Sequence, residues 1–201
     1  MGGDVAIIDS GGANIASLLY AFERLGQRAS LTADADVIRN AERVVLPGVG
    51  AARDAMQRIQ ELALADTIRN LSQPVLGICL GMQLLAEASE EEDVACLGII
   101  PGTAVRLDAV PGFPVPNMGW CALDVTDSHP VLAGLGDDSW CYFLHSYALP
   151  VSATTLATAM HSRAFSAVVG QDNFVAAQFH PERSSAAGAR LLQNFLAWDG
   201  R

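Results

Sequence analysis

The first half of the chain alternates apolar runs with helical patterns. Short runs rich in β-branched residues are typical of strands buried on both faces of a parallel sheet. Four runs predict strands, the second of them weakly: residues 5–8, 28–31, 43–46 and 74–78. Apolar residues at helical spacing follow each run: residues 15–25, 36–40, 51–70 and the stretch after residue 79. This alternation predicts βαβ units and a mostly parallel central sheet flanked by helices.

The second half changes character after Glu92. Turn-forming Gly, Pro, Asp and Asn residues separate predicted strands that we expect to form an antiparallel C-terminal portion. These strands cover residues 97–107, 118–126, 141–149, 155–160 and 165–179, the last with a turn at residues 170–173. Ser184 is predicted to cap a final helix with an apolar face that includes Phe195. Because linker-like tracts are missing from the sequence, we expect one α/β domain over residues 1–201.

Composition narrows the class of protein. The chain has 201 residues, of which 51% are hydrophobic and 17% charged, as in ordinary globular proteins. Its net charge of −10 argues against nucleic-acid binding, which needs a basic face. All 12 basic side chains are Arg, so lysine is unavailable for a Schiff base or a phosphate grip. The Gly-rich turn at residues 9–14 lacks the GxGxxG pattern, and we interpret it as a connector or interface.

The cysteines and the N-terminus indicate the cellular setting. Cys79, Cys96, Cys121 and Cys141 have no CxxC spacing, so neither a metal cluster nor a redox dithiol is predicted. The N-terminal residues lack a basic region followed by an apolar stretch, and the chain lacks an apolar run of about 18 residues. We therefore expect a cytoplasmic protein with reduced thiols and no membrane partner.

Cys79 lies where the fourth strand meets the helix that follows it. Gly77 and Gly81 stand two residues before and two after it, the spacing of a nucleophile elbow. A helix N-terminus favours a thiolate over a thiol. Free cysteines are also among the most buried residues, so the spacing alone leaves a core cysteine and a nucleophile about equally supported.

A cysteine nucleophile needs a base, and that base needs an orienting partner. Among four histidines, His129 and His161 lie in polar surroundings and are expected to be exposed. His180 follows an apolar strand, Pro181 breaks that strand, and Glu182 is close enough to fix the tautomer of the imidazole. Taken alone, this tripeptide is more often a histidine in a surface turn.

Acyl transfer through a thioester also needs N–H donors for an oxyanion. The amide of Leu80 is one candidate. A second can come from Gly48, Val49 and Gly50, where glycine permits a peptide flip, although this loop could equally be a plain turn that ends a strand.

Two motifs together resemble the class I, triad-type glutamine amidotransferases: Gly-Ile-Cys-Leu-Gly-Met-Gln at 77–83 and Gln-Phe-His-Pro-Glu at 178–182. Four further segments are similar to the glutaminase subunits of imidazole glycerol phosphate synthases, which act in histidine biosynthesis. They are Pro-Gly-Val-Gly at 47–50, Pro-Asn-Met-Gly-Trp at 116–120, Phe-Leu-His-Ser-Tyr at 143–147 and His-Pro-Glu-Arg-Ser at 180–184. The likeness spans nearly the whole chain and implies the class I amidotransferase fold.

The resemblance implies a catalytic triad of Cys79, His180 and Glu182, with no cofactor and no metal. It also implies that L-glutamine is held by Gln83, Glu91, Ser146 and Tyr147, with backbone at Gly48 and Gly50. Ammonia would pass to a (β/α)₈-barrel cyclase subunit in a heterodimer. Five residues would face that partner: Asn14, Met118, Trp120, Tyr142 and Arg183. By residue type alone, Trp120 fits a core position better than an interface.

Two positions depart from the family pattern His-Met-Gly-Trp-Asn, namely Asn117 and Cys121. Both lie in the expected interface segment. The main rival hypothesis is a glutaminase subunit of another class I amidotransferase, of the aminodeoxychorismate or anthranilate synthase type. A γ-glutamyl peptidase and a catalytically silent binding subunit are further alternatives.

Overall fold

The computed structural model describes residues 4–11, 15–136 and 138–201 and is built around an eight-stranded mixed sheet. Its strands run in the order β2-β1-β3-β4-β14-β13-β12-β9. The first five are mutually parallel, and the last three are antiparallel to their neighbours. The predicted fold class, a mostly parallel sheet with an antiparallel C-terminal portion, is confirmed.

The elements alternate in the first half and are mainly strands in the second. The strands are β1 (Val5–Ile8), β2 (Ala29–Thr32), β3 (Arg43–Gly48), β4 (Val75–Cys79), β5 (Ala86–Ser89), β6 (Val94–Ala95), β7 (Ile100–Arg106), β8 (Asn117–Ala122), β9 (Asp124–Val125), β10 (Trp140–His145), β11 (Tyr147–Ala148), β12 (Thr155–Met160), β13 (Ala164–Gln171) and β14 (Phe174–Ala177). The helices are α1 (Ile15–Arg24), α2 (Ala35–Asn40), α3 (Ala52–Glu61), α4 (Ala65–Arg69), α5 (Leu80–Leu85) and α6 (Ser185–Ala197), with 3₁₀ turns at Pro130–Leu132 and Pro181–Arg183.

Apolar residues dominate the four inner parallel strands (β1, β3, β4 and β14), which are buried on both faces, whereas the edge strand β2 is partly exposed. Val45 packs into one core cluster, while its neighbours Val44 and Leu46 pack into the other. Side chains of α1 and α6, such as Phe22 and Phe195, belong to the first cluster. Helices α3 and α4 contribute to the second. The sheet therefore lies between two hydrophobic layers, as the apolar runs predict.

Two smaller sheets extend the second half. One has the order β11-β7-β5-β6, and the other is the two-stranded antiparallel ribbon of β8 and β10. The stretch predicted as one strand over residues 141–149 is divided at Ser146, and the stretch over residues 118–126 is divided after Ala122. The helical pattern over residues 51–70 is likewise two helices, separated at residues 62–64.

The carboxyl ends of the parallel strands meet at one edge of the sheet, which is where ligands bind in folds of this kind. Gly48 at the end of β3 is in register with Cys79 at the end of β4. The hydroxyl of Ser10, just after β1, donates to the carbonyl of Pro47 at 2.7 Å. On the other side of β4, Ala177 of β14 is in register with Ile78. This packing brings the loops after four strands together around Cys79.

Within the described ranges, none of the helices is long and apolar enough to span a membrane.

Candidate active site

Cys79 occupies a tight turn between β4 and α5 with a φ of +54°. This conformation is rare for a residue with a side chain and marks functional turns. The close packing explains the two glycines: a Cβ at Gly81 would collide with the carbonyl oxygen of Leu46, and one at Gly77 would lie 2.8 Å from Leu85 Cδ1. The side chain is only 6% exposed, yet it lines a cavity. The alternative of a plain core cysteine does not account for this strained turn.

His180 reaches Cys79 from the neighbouring strand. Strand β14 runs parallel to β4, so the residues that follow it, Gln178 to His180, pass beside the elbow. The His180 Nδ1 atom lies 2.9 Å from the Glu182 carboxylate, and both side chains are buried. Burial by itself lowers the pKa of His180. Hydrogen bonds to Cys79 and Glu182, together with their negative charges, outweigh burial and raise that pKa to about 10.

The turn that carries His180 and Glu182 is fixed from two sides. The Ser184 hydroxyl donates to the His180 carbonyl at 2.7 Å and accepts from the backbone N–H of Tyr142 at 2.9 Å. Ser184 therefore stands at the N-cap position of α6, as predicted, but its side chain braces the turn. Helix α6 packs so closely against the same turn that a Cβ at Gly188 would collide with the backbone of Pro181.

A cavity of about 730 Å³ opens in front of Cys79 and His180. This volume suits a small molecule. Cys79 and His180 line it, together with twelve other residues: Ser17, Val49, Gly50, Leu80, Gln83, Glu91, Pro116, Leu144, His145, Ser146, Tyr147 and Arg183. All four residues predicted to bind glutamine are in this set.

The predicted oxyanion residues lie beside the elbow. Gly48 approaches the start of α5 so closely that a Cβ there would be 2.8 Å from Leu80 Cβ. Val49, Gly50 and Leu80 line the cavity. Gly50 has a φ of +93°, which a glycine adopts without strain. The loop therefore combines close approach with conformational freedom at the position where donors are expected.

Two of the predicted glutamine-binding side chains are already engaged in structural contacts. Gln83 is buried, and its amide donates to the carbonyl of Tyr147 at 2.9 Å. The Glu91 carboxylate accepts from the backbone N–H of Ala52 at 3.0 Å, at the start of α3. Glu91 thus lines the cavity and also contacts α3, the helix that follows the Gly48–Gly50 loop. Ser146 and Tyr147, which directly follow β10, also line the cavity.

Three further groups contact the site without being singled out by the sequence. Gln178 is fully buried, and its Nε2 lies 3.8 Å from Cys79 Sγ. The carbonyl of Leu144 lies 3.7 Å from the same sulfur. His145 is buried, with Nδ1 2.9 Å from the Tyr147 carbonyl and Nε2 3.1 Å from the Asn117 amide. Gln178 and His145 both stand inside family motifs, which was the available signal.

Burial sets the charge of His145. It lowers the pKa of this imidazole to about 4, against an opposing effect of the hydrogen bond to Tyr147. The ring is therefore neutral at pH 7, donates from Nδ1 and accepts at Nε2 from Asn117. Asn117 thus has a defined role in this chain, as the donor that satisfies a buried histidine.

Four of the five residues predicted to face a partner lie on one surface, the outer face of the β8/β10 ribbon and its rim. Met118 is 68% and Trp120 49% exposed, so the alternative of a core Trp120 is wrong. The Trp120 ring contacts the edge of Tyr142, with centroids 5.9 Å apart, and the Arg183 guanidinium lies 4.2 Å from the centre of the Tyr142 ring. Asn14 lies outside the described residues.

Two predicted exposures are wrong. His161 is buried, and its Nε2 lies 2.8 Å from the carbonyl of Pro114. His129 is half-buried, accepts from the Val131 N–H at 3.2 Å and contacts the edge of Trp198. Both polar turns fold back onto the core, which a local sequence window does not reveal. In the described part of the chain, His, Cys, Asp and Glu do not form a group of three or more that could hold a metal ion.

Relatives with high identity cover almost the whole chain. It is 50% identical over 193 residues to the imidazole glycerol phosphate synthase subunit HisH of Xanthomonas axonopodis pv. citri (strain 306), covering 96% of each chain. The HisH subunit of Xylella fastidiosa (strain Temecula1 / ATCC 700964) is 47% identical, with 98% of each chain covered. That of Shewanella loihica (strain ATCC BAA-1088 / PV-4) is 46% identical, with 96% of this chain and 90% of the relative covered.

Solved structures agree on the fold. A crystal structure of a glutamine amidotransferase superposes with a TM-score of 0.72 at 21% identity, covering 96% of this chain and 97% of that one. A glutamine amidotransferase from Thermotoga maritima gives a TM-score of 0.64 at 18% identity, with 97% and 83% covered. The family model for class-I glutamine amidotransferases matches residues 6–198. The chain therefore belongs to the class-I glutamine amidotransferase family and, within it, to the family of the imidazole glycerol phosphate synthase subunit HisH.

Proposed function

We propose that this chain is the glutaminase subunit of an imidazole glycerol phosphate synthase and hydrolyses L-glutamine to glutamate and ammonia. The observation that carries the proposal is Cys79, raised on a strained elbow beside the buried His180–Glu182 pair at the wall of a ligand-sized cavity. The HisH relatives, about half identical to this chain, favour this enzyme over other amidotransferase subunits.

The proposed reaction begins with attack of the Cys79 thiolate on the side-chain carboxamide carbon of glutamine. The carbonyl electron pair moves to oxygen and forms an oxyanion. Collapse of this intermediate breaks the C–N bond, and the His180 imidazolium gives its proton to the departing ammonia. A γ-glutamyl thioester remains on Cys79.

Water then completes the cycle. His180, now neutral, takes a proton from water as the water oxygen attacks the thioester carbonyl. The C–S bond breaks, glutamate leaves, and the thiolate–imidazolium pair is restored. Glu182 keeps Nδ1 of His180 protonated, so the other ring nitrogen exchanges the proton. The same imidazole thus serves as acid in the first half-reaction and as base in the second.

The surrounding residues have proposed binding roles. The amide of Leu80 and the backbone at Gly48, Val49 and Gly50 would stabilise the oxyanion. Gln83, Glu91, Ser146 and Tyr147 would hold the substrate. All of these residues except Gly48 line the cavity, and Gly48 packs against Leu80, which supports this assignment.

We further propose that the partner is a (β/α)₈-barrel cyclase subunit that forms a heterodimer with this chain. The cyclase would combine the ammonia with a ribulosyl-aminoimidazole-carboxamide nucleotide to give imidazole glycerol phosphate and aminoimidazole carboxamide ribotide. The exposed apolar ribbon face, with Met118 and Trp120, would contact it. Residues 1–201 would form a single amidotransferase domain that acts in the cytoplasm.

The function is tested by measuring glutamine hydrolysis and cyclisation with a cyclase subunit. Cys79→Ala should abolish glutaminase turnover, whereas ammonium salts should still drive cyclisation in the mutant complex, because the cyclase has its own site. Glutamine hydrolysis by Cys79→Ala at the wild-type rate would exclude Cys79 as the nucleophile.

The Gly48–Gly50 loop beside the interface motivates a second expectation. We propose that the isolated chain hydrolyses glutamine slowly and that the cyclase with bound nucleotide activates it. Assays of the lone chain and of the complex, each with and without the nucleotide, test this. Full activity of the lone chain would contradict the switch.

A further inference from the structure

Two buried side-chain amides, those of Gln178 and Gln83, lie beside the nucleophile. The side chain of Gln178 is fully buried on the turn between β14 and His180. Nε2 of Gln178 lies 3.8 Å from Cys79 Sγ, and Oε1 accepts from Gln83 Nε2 at 3.1 Å. Gln83 Nε2 also donates to the carbonyl of Tyr147 at 2.9 Å. The contacts form one chain of hydrogen bonds from Tyr147 through two amides to the sulfur.

This chain determines which end of the Gln178 amide faces the sulfur. The Tyr147 carbonyl is an acceptor only, so the Gln83 group beside it must be the NH₂. That NH₂ is also beside Gln178, so the facing atom of Gln178 must be its oxygen. The remaining end of Gln178, its NH₂, therefore points to Cys79. If the Gln178 amide were flipped, its NH₂ would face the NH₂ of Gln83, and its oxygen would face the sulfur.

The sulfur accordingly has partners for both of its protonation states. A thiol can donate to the Leu144 carbonyl, 3.7 Å away. A thiolate accepts from Gln178 and from His180. Because Gln178 is neutral, its donor is available whether or not His180 carries the extra proton. It can serve the thiolate before it attacks glutamine and again when the thioester C–S bond breaks.

We propose that Gln178 is a catalytic residue that stabilises the Cys79 thiolate by donating a hydrogen bond from Nε2, and that Gln83 positions it. Hydrogen bonds to charged acceptors in a buried site are among the stronger ones. The inference deepens the proposed glutaminase reaction and rests on it. It assigns to Gln83 a positioning role besides any contact with glutamine.

The test follows the alkylation of Cys79 by iodoacetamide across pH, with the modified peptide quantified by mass spectrometry. Gln178→Met keeps an unbranched side chain of similar length without the donor. We expect its alkylation rate at pH 7 to fall roughly tenfold and the half-maximal rate to occur at higher pH. Gln178→Glu, which turns an acceptor toward the sulfur, should lower the rate further.

Ser166→Ala is the matched control. Its hydroxyl is fully buried on the neighbouring strand β13 and bonds to Thr155 and to the Pro150 carbonyl. Loss of these two buried hydrogen bonds should leave the alkylation profile of Cys79 unchanged. Wild-type alkylation by folded Gln178→Met and Gln178→Glu would overturn the proposal. An equal effect of Ser166→Ala would do the same.

A measurement on the unsubstituted site covers the case in which these variants fail to fold. The side-chain NH₂ resonances of Gln178 should shift in NMR spectra when Cys79 is alkylated, and the same reagent should leave them unmoved in Cys79→Ala. Unmoved resonances in both proteins would overturn the proposal. Neither readout needs glutamine hydrolysis, so a wild-type chain without glutaminase activity would contradict the proposed function separately.

Discussion

At the scale of single residues, the Glu182 carboxylate controls the proton on His180. The oxygen 2.9 Å from Nδ1 is one of the groups that raise the pKa of His180 to about 10. We expect glutaminase activity to fall as pH rises through about 10, because the imidazolium is then lost. Glu182→Gln removes a raising charge, so it should move this alkaline limb to lower pH and reduce activity at neutral pH at least about tenfold.

The matching control for this pH profile is Glu42→Gln. Glu42 is an exposed carboxylate 3.7 Å from Arg43, away from the cavity lining. Its removal changes the net charge equally and should leave the profile in place. An alkaline limb at the same pH in Glu182→Gln and the wild type would contradict the role of Glu182.

Asn117 is a second residue with a measurable local effect. Its amide satisfies Nε2 of the buried, neutral His145. Asn117→Ala leaves this acceptor unpaired, so the free energy of unfolding in urea should fall by about 1–3 kcal/mol. The control is Asn40→Ala, which removes an exposed amide that donates to the Asp36 carbonyl. Similar losses in the two variants would contradict the burial argument.

At the scale of elements, helix α6 packs against the turn that carries His180 and Glu182 at a distance that only glycine allows. A Cβ at Gly188 would collide with the backbone of Pro181, between His180 and Glu182. Although alanine favours a helix by about 0.5–1 kcal/mol over glycine, we expect Gly188→Ala to destabilise the protein, since overpacking costs about 1–3 kcal/mol.

The displaced turn should also reduce catalysis. A shift of about 1 Å at a reacting group can cost about a hundredfold, so glutamine turnover by Gly188→Ala should fall strongly. Ala186→Gly, an exposed change on the same helix, loses helix propensity without touching Pro181 and should keep its turnover. If Gly188→Ala turned over like the wild type, the helix would not position the triad.

The strand-to-helix elements of the first half could be predicted because their signals are local. An apolar run that ends at glycine-flanked Cys79 specifies both burial and the turn. Strand β5 could not be predicted, since its residues 86–89 are Ala-Glu-Ala-Ser, which favour a helix. The strand forms because it pairs with β7 in parallel and β6 in antiparallel register, and this tertiary pairing overrides local preference.

The residues of the candidate site divide in the same way, into those with a local sequence signal and those without one. Cys79, His180 and Glu182 have sequence signals that depend on their immediate neighbours. Gln178 and Leu144 stand inside family motifs, but their contacts with the sulfur have no local signal, because these contacts depend on how β14 and β10 lie beside β4. The burial of His161 depends in the same way on the distant Pro114.

At the scale of the whole molecule, the β8/β10 ribbon joins the site to an exposed apolar surface. Alternation along the strands puts Met118, Trp120 and Tyr142 on the outer face and His145 on the inner face, beside the cavity. A partner that covers the outer face would therefore contact strands whose inner face lines the active site.

Trp120→Ala tests that surface. Buried Trp anchors commonly contribute about 2 kcal/mol or more to binding, so the affinity for the cyclase, measured by calorimetry, should fall roughly thirtyfold. Leu31→Ala is the control. Leu31 is an exposed apolar residue on β2, an edge strand of the main sheet and not part of the β8/β10 ribbon. Equal affinity of Trp120→Ala and the wild type would contradict the ribbon as the interface.

In the proposed reaction, Cys79 carries the glutamyl group during turnover. The most direct measurement is acid quenching of the complex during glutamine hydrolysis, followed by peptide mass spectrometry. We predict a γ-glutamyl adduct on the peptide that contains Cys79, and none in Cys79→Ala. An adduct on another residue, or undiminished hydrolysis by Cys79→Ala, would contradict the assignment of Cys79 as the nucleophile.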